Sequence, residues 1–154
     1  MQLVLSSPAF NNGETIPRKY TGVAEDVSPP LSWTNVPAEA RSLALLCEDP
    51  DAPGGLWVHW VLYDISPEVR ELGENLEKSQ TVLGGAAKQG LTDFRKIGYG
   101  GPMPPPGKAH RYTFKLYALD QPTGLPAKAT RSQLLNAIEG HVLAQTQLTG
   151  LFGR

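Results

Sequence analysis

The segment RYTFKLYAL, residues 111–119, decides the fold class. Its apolar side chains fall on every second position, at Tyr112, Phe114, Leu116 and Ala118. A period of two is typical of a β-strand that buries one face against a core. The same alternation, continued backwards, predicts that His110 points to the buried face.

Two further segments predict strands at the centre of the same structure. They are SLALLCE, residues 42–48, and WVHWVLYDI, residues 57–65, both bounded by proline and glycine clusters. Residues 57–65 are apolar on both parities, which predicts a strand covered on both faces but leaves the direction of His59 open. Shorter strands are predicted at residues 2–5, 16–20 and 31–33.

Composition favours one domain built of many short strands. The chain has 154 residues and a mass of 16.7 kDa, so residues 1–154 are expected to form a single domain. Hydrophobic residues make up 40% of it, which is enough for a core. The 16 glycines and 14 prolines exceed average usage and place many residues in turns.

One helix is predicted near the C-terminus. Thr130 can cap it, and Gln133 three residues later completes a capping-box pattern. The apolar residues assigned to this helix are Leu134, Leu135, Ile138, Val142 and Leu148. A short helical turn is also predicted at SPEVREL, residues 66–72, where proline suits the first helical position.

Charge and cysteine content argue against several functions. Lys and Arg total 14 against 15 Asp and Glu, so there is no basic excess to bind nucleic acid. No apolar stretch is long enough to span a bilayer, and we expect weak or no membrane association. The single Cys47 cannot form an internal disulfide, and the first residues lack a signal-peptide pattern, so a cytoplasmic location is expected.

Two of the three histidines follow proline-rich loops. His59 comes after DPDAPGG, residues 49–55, and His110 comes after GPMPPPGKA, residues 101–109. Proline fixes φ, so these loops predict the preformed rim of a pocket. A single histidine in a strand is more often a satisfied structural side chain. Two histidines behind two such loops instead favour a site for an anion.

No motif indicates a cofactor, a metal ion or a catalytic nucleophile. The segment GYGGPM lacks the third glycine of a nucleotide-binding loop, and no GxSxG occurs. Cys47 has apolar neighbours and is expected to be a buried hydrophobic residue. The spacing of Asp49, His59 and His110 does not favour a metal site. We therefore expect a non-enzymatic protein with no cofactor and no metal.

Three segments carry a resemblance to a known family. They are DPDAP at 49–53, WVHW at 57–60 and GYGGPMPPPGKAHRYTFKLYALD at 98–120. Together they resemble the phosphatidylethanolamine-binding protein family, in its bacterial and archaeal Raf kinase inhibitor-like branch. SPPLSW at 28–33 and GGAAKQGLTDF at 84–94 extend the similarity over most of the chain. The resemblance implies a mainly β fold, a Greek-key β-sandwich of two antiparallel sheets with a C-terminal α-helix.

The resemblance also implies a small pocket for phosphate or a phosphorylated head group. The ligand-binding residues carried over from it are Asp49, Pro53, His59, Gly101, Pro104, Pro105, His110 and Tyr112. It further implies a cis peptide bond before Pro53. The chain departs from the family pattern by a loop one residue shorter, with Met103 in place of cysteine, and by Arg95 in place of glycine.

The residues themselves indicate a role for one carboxylate. Strand alternation places Cys47 and Asp49 on the same face, and a carboxylate near an imidazole orients the ring and favours its charged form. We assign this role to Asp49. The interpretation of Asp49 as a turn-capping side chain, which is common in Asp-Pro sequences, stays open here.

The sequence therefore predicts a non-enzymatic binding module in which His59 and His110 donate to phosphate or phosphoethanolamine. Regulation of kinase signalling is implied only by the resemblance. Two alternatives are a protein-interaction inhibitor of a protease or kinase acting through residues 95–108, and a weak hydrolase using Asp and His groups as general acid and base. The expected partners are a small phosphorylated ligand, a kinase or protease, and a second copy of the chain in a homodimer, with no nucleic acid.

Overall fold

The computed structural model describes all 154 residues and contains two antiparallel sheets and one α-helix. The strands are β1 (Val4–Ser6), β2 (Leu31–Thr34), β3 (Ser42–Asp49), β4 (Trp57–Ile65), β5 (Glu71–Leu72), β6 (Thr81–Val82), β7 (Ala87–Gln89), β8 (His110–Leu119) and β9 (Val142–Phe152). The helix, α1, spans Arg131–Ile138. No helix has the length and apolar character that crossing a membrane requires.

The sheet order confirms the predicted fold class. The larger sheet has six strands in the order β6-β7-β4-β3-β8-β9, and the smaller sheet has the order β1-β2-β5. After β7 the chain crosses over, so that β8 lies on the far side of β3. Four strands in the spatial order β8-β3-β4-β7 form a Greek key.

The six-stranded sheet is covered on both faces. One face packs against the smaller sheet, in a core that includes Trp33, Trp60 and Phe114. The other face packs against α1, where Val61 and Leu134 belong to a second apolar cluster. This two-sided burial explains why every residue of β3 is buried and why the sequence of β4 is apolar on both parities.

The three central strands lie where the sequence predicted them. The segment at residues 57–65 is β4, and β3 and β8 each extend the prediction by one residue, to Asp49 and His110. The apolar positions of β8 are all buried, at Tyr112, Phe114, Leu116 and Ala118. Period-two alternation therefore identified the buried face of β8 correctly.

The predicted helix is shorter than its apolar pattern indicated. Thr130 and Gln133 form the expected capping box, but the helix ends at Ile138, and Gly140 follows in a left-handed conformation with φ of 81°. Val142 and Leu148 lie in β9, which pairs along β8. The helix therefore precedes a final strand, because long-range pairing prevails over the local helical spacing.

Three local predictions are wrong. Residues 16–20 contain a 3-10 turn at Arg18–Tyr20 in place of a strand. Residues 66–72 form a turn and then β5 in place of a helix, because Glu71 and Leu72 pair with β2. The peptide bond before Pro53 is trans, since the chain contains no cis peptide bond.

Candidate functional site

A pocket of about 520 Å³ opens at one end of the six-stranded sheet. It lies where β3 ends and where β4 and β8 begin, so three strand termini deliver side chains to one place. Its lining comprises Asp49, Ala52, Pro53, Gly54, Gly55, Leu56, Trp57, His59, Asp93, Phe94, Met103, Pro104, Pro105, His110 and Tyr112. This volume is within the range of small-molecule sites.

The structure brings together all but one of the predicted ligand-binding residues. Those that line the pocket are Asp49, Pro53, His59, Pro104, Pro105, His110 and Tyr112. Gly101 lies outside it, and its backbone N–H donates to Asp26 Oδ1 at 2.7 Å. A Cβ added at Gly101 would lie 2.5 Å from the carbonyl oxygen of Tyr20. Glycine is required there by close backbone packing, and its N–H group is not free for a ligand.

Asp49 holds the ring of His110, so His110 is the imidazole that its predicted orienting role concerns. Asp49 Oδ2 lies 2.7 Å from Nδ1 of His110, and the two side chains are only 5% and 12% exposed. The other carboxylate oxygen, Oδ1, accepts the backbone N–H of Asp51 at 2.8 Å. The backbone N–H of Asp51 therefore fixes the Asp49 carboxylate, and the carboxylate fixes the imidazole ring of His110. Because Nδ1 is occupied, Nε2 is the ring nitrogen of His110 left for a ligand.

A neighbouring ion pair fixes the start of β8 against this turn. Asp51 accepts the backbone N–H of Arg111 and binds its guanidinium group, with Nε–Oδ2 and Nη2–Oδ1 distances of 2.9 and 2.8 Å. The bidentate bond holds the pKa of the Asp51 carboxyl well below its usual range. Asp51 thus keeps His110 beside Asp49 without lining the pocket itself.

A β-bulge sets the direction of His59. Cys47 lies opposite Trp60, but the next residue of β3, Glu48, lies opposite Val58. His59 is therefore an extra residue on β4, with no partner on β3. It lines the pocket while Val58 belongs to the cluster beneath α1. Regular alternation without the bulge would instead place His59 on the face of Val61 and Tyr63, beneath α1.

His59 is buried, and the groups in direct contact with its ring are neutral. Its Nδ1 lies 2.6 Å from the carbonyl oxygen of Gly100, and its ring meets Phe94 and Tyr112 edge-on at centroid distances of 5.3 and 5.2 Å. Burial disfavours the charged ring and lowers the pKa of His59 below its usual value. As Nδ1 donates to the carbonyl, Nε2 of neutral His59 is a hydrogen-bond acceptor.

Tyr112 lies between the two imidazoles. Its ring contacts His59 at 5.2 Å and stacks with His110 at 6.4 Å, so both histidines flank one side chain at the base of the pocket. Burial, and then the charge of Asp49, raise the pKa of the Tyr112 hydroxyl. The hydroxyl therefore stays protonated and able to donate.

Sequence reasoning missed the apolar mouth and one carboxylate of the pocket. Four large apolar side chains are exposed around the opening, at Leu56, Trp57, Phe94 and Met103. Trp57 and Phe94 meet edge-on at 5.5 Å, and Asp93 accepts the backbone N–H of Val58 at 2.7 Å. The one sequence signal for this apolar mouth was Trp57, which stands two residues before His59. Asp93 and Phe94 reach the pocket through a loop whose course the sequence does not reveal.

Comparisons with known proteins agree with this architecture. The family model described as phosphatidylethanolamine-binding protein matches residues 6–153. A UPF0098 protein of Methanothermobacter thermautotrophicus is 47% identical over 150 residues, which cover 97% of this chain and 98% of the relative. A UPF0098 protein of Aquifex aeolicus is 45% identical over 150 residues, covering 96% of this chain and 86% of the relative.

Two crystal structures are similar over the whole chain. A phosphatidylethanolamine-binding protein homolog from Chlamydia trachomatis superimposes with a TM-score of 0.91 at 41% identity, covering 99% of this chain and 98% of the other. YBCL of E. coli, described as a new member of the mammalian PEBP family, gives a TM-score of 0.92 at 28% identity, covering 100% and 99%.

Proposed function

This chain belongs to the phosphatidylethanolamine-binding protein family, and we propose that it binds a small phosphate ester such as phosphoethanolamine. The family and the fold support a binding protein of this kind. The observation that carries the ligand assignment is the pair of imidazoles that flank Tyr112, each held by its Nδ1 atom. Both rings line the same pocket and keep Nε2 for a ligand.

Anion binding by these rings is coupled to proton uptake. With Nδ1 engaged by a protein acceptor, Nε2 donates to a phosphate oxygen only when the ring is protonated. A charge on His110 is balanced by Asp49 in direct contact, whereas the hydrogen-bond partner of His59 is an uncharged carbonyl and the carboxylates of Asp49 and Asp93 act on it only from a distance. The phosphate therefore supplies a negative charge in direct contact with His59. Because burial lowers the pKa of His59, affinity increases as the pH falls below neutrality.

Two carboxylates favour a ligand that carries a cation beside its phosphate. Asp49 and Asp93 both line the pocket, and an ionised carboxylate repels a phosphate group. An ammonium group on the ligand offsets that repulsion. Phosphoethanolamine has such a group, which is why we place it above inorganic phosphate.

The mouth of the pocket suits a ligand with an apolar extension. Trp57, Phe94 and Met103 are exposed at the opening, and Met103 is 53% exposed. Large apolar side chains grouped around a pocket are typical of a binding surface. An alkyl or acyl chain attached to the phosphate would leave the pocket across these residues.

Calorimetric titration tests the assignment. At about pH 6, near the ordinary pKa of histidine, we expect phosphoethanolamine to bind more tightly than inorganic phosphate, and ethanolamine to show no binding. Sulfate takes up no proton in this pH range. A change in sulfate affinity with pH therefore reports protonation of the protein and not of the ligand. The absence of binding heat with both phosphates at millimolar concentration would contradict the proposal.

A further inference from the structure

One carboxylate of the pocket keeps an oxygen that the chain does not use. Two aspartates, Asp49 and Asp93, line the pocket. Both oxygens of Asp49 are engaged, because Oδ1 accepts the backbone N–H of Asp51 and Oδ2 binds Nδ1 of His110. Asp93 uses only Oδ2, which accepts the backbone N–H of Val58 at 2.7 Å. The second oxygen of Asp93, Oδ1, is therefore free to accept a hydrogen bond from a ligand.

Asp93 also has no cationic partner in the chain. None of the ion pairs includes it, whereas the neighbouring Asp51 is paired with Arg111 through both oxygens. The pocket lining contains no lysine and no arginine, and its basic side chains are His59 and His110. An unpaired carboxylate repels an anionic ligand unless the ligand itself brings a cation.

Two hydrogen bonds fix Asp93 at the edge of β4. Its backbone N–H donates to the carbonyl of Val58 at 3.0 Å, and its side chain accepts the N–H of the same residue. Val58 directly precedes His59. Burial lowers the pKa of His59, and the negative charge of Asp93 acts on it in the opposite direction. The carboxylate is thus held within electrostatic reach of an imidazole that the proposed function assigns to the phosphate.

Two aromatic side chains flank this carboxylate. Trp57 precedes Val58 and Phe94 follows Asp93, and their rings meet edge-on at 5.5 Å. Both rings line the pocket and are partly exposed. The face of an aromatic ring attracts a cation. An ammonium group bound at Asp93 is therefore favoured by the rings as well as by the carboxylate.

We infer that Asp93 receives the ammonium group of the ligand and thereby selects phosphate esters of primary amines over phosphate esters that end in a neutral or anionic group. The inference rests on the proposed function, since it requires the phosphate to bind at His59 and His110. A primary ammonium donates hydrogen bonds, and Oδ1 of Asp93 is a charged acceptor for one of them. Asp49 cannot replace Asp93 in this role, because both of its oxygens are engaged.

Three ligands of similar length test this assignment. Phosphoethanolamine, ethyl phosphate and phosphoglycolate end in an ammonium, a methyl and a carboxylate group, respectively. With the wild-type protein we expect the affinity to fall in that order, because the Asp93 carboxylate attracts the first of these groups and repels the third. Calorimetric titration at about pH 6, near the ordinary pKa of histidine, measures the three affinities.

Asp93→Asn removes the charge but keeps an oxygen that can accept the Val58 N–H, so the loop should stay in place. Its affinity for phosphoethanolamine should fall about tenfold, its affinity for ethyl phosphate should change little, and its affinity for phosphoglycolate should increase. The control is Asp120→Asn, which removes a carboxylate that pairs with His141 outside the pocket lining. The control should preserve the wild-type order of the ligands, and circular dichroism melts verify that both variants are folded.

Two results would overturn the inference and leave the proposed phosphate site intact. One is an equal loss of affinity for phosphoethanolamine and ethyl phosphate in Asp93→Asn, which would show that Asp93 acts through the charge of His59 or through the fold. The other is a wild-type protein that binds ethyl phosphate as tightly as phosphoethanolamine. The absence of binding heat with all three ligands at millimolar concentration would instead contradict the proposed function, and the inference with it.

Discussion

The two walls of the pocket are built by different means. The carboxylate wall, formed by Asp49, His110 and Tyr112, comes from the ends of β3 and β8, which pair with each other without a register shift. The bulge wall, formed by Trp57, His59 and Phe94, depends on an extra residue in β4 and on a loop. One wall balances a charged imidazole with a carboxylate, whereas the other surrounds an imidazole with aromatic rings and a carbonyl.

This difference has a chemical consequence. A protonated His110 has a counter-charge within the protein, but a protonated His59 has none in direct contact. The carboxylate wall therefore offers a protonated imidazole a counter-charge in direct contact, which the bulge wall does not. The bulge wall becomes a donor only where the ligand or a lower pH favours its protonation.

The largest effect is expected from the carboxylate wall. His110→Ala removes a hydrogen bond to a charged group, which contributes about 2 kcal/mol, so phosphoethanolamine affinity should fall roughly thirtyfold at about pH 6. The matched control is His141→Ala, since His141 forms a similar pair with Asp120 at 2.9 Å on the surface, outside the pocket. If calorimetry shows equal losses of affinity in the two variants, the carboxylate wall has no special role in binding the ligand.

The bulge wall should show a smaller effect that depends on pH. His59 is neutral near pH 8, because burial lowers its pKa, so His59→Ala should change affinity little there. At about pH 5.5, where the bound ligand favours the protonated ring, we expect a loss of about tenfold. The comparison requires affinities of both proteins across the same pH series. A loss that is identical at every pH would show that His59 acts by packing alone.

The smallest effect is expected at the mouth. Met103→Ala should weaken binding of a short-chain phospholipid about threefold, because a partly exposed side chain contributes on the order of 0.6 kcal/mol of contact with the chain. Binding of phosphoethanolamine, which has no apolar extension, should not change. Val4→Ala removes a similarly exposed apolar side chain on β1, outside the pocket lining, and serves as the control. Equal sensitivity of both ligands to Met103→Ala would contradict the assignment of the mouth.

The carboxylate wall was predictable from the sequence because β3 and β8 pair with each other without a register shift. Alternation along β8 placed His110 on the buried face, and alternation along β3 placed Asp49 beside Cys47. The prediction that Asp49 orients an imidazole required only that these two strands be neighbours, which the structure confirms. Local pattern and tertiary structure agree at this wall.

The bulge wall was not predictable by the same reasoning. A bulge is a property of a strand pair, and neither β3 nor β4 alone reveals that His59 lacks a partner. Gly101 was assigned to the pocket by family resemblance, yet its N–H group binds Asp26. Val142 and Leu148 fitted a helical spacing, but pairing with β8 placed them in a strand. In each case a contact distant in sequence determined the outcome.

The two alternative functions, an inhibitor of a kinase or protease and a weak hydrolase, would use the residues in and around the pocket in different ways. Docking of a kinase or protease through residues 95–108 would use the exposed Met103, and hydrolysis would use Asp49 and His110 to activate water. Both stay predictions of the sequence. The ligand-binding proposal is separated from them by its requirement for two imidazoles acting together.

The most direct test reads the protonation of both pocket histidines during binding. Nitrogen-15 NMR of labelled imidazoles at about pH 6.5 distinguishes a neutral ring from a protonated one. On saturation with phosphoethanolamine we expect the Nε2 signals of His59 and His110 to move to the protonated range, while the signal of His141 stays unchanged. Binding that leaves both pocket histidines unaltered would contradict the account.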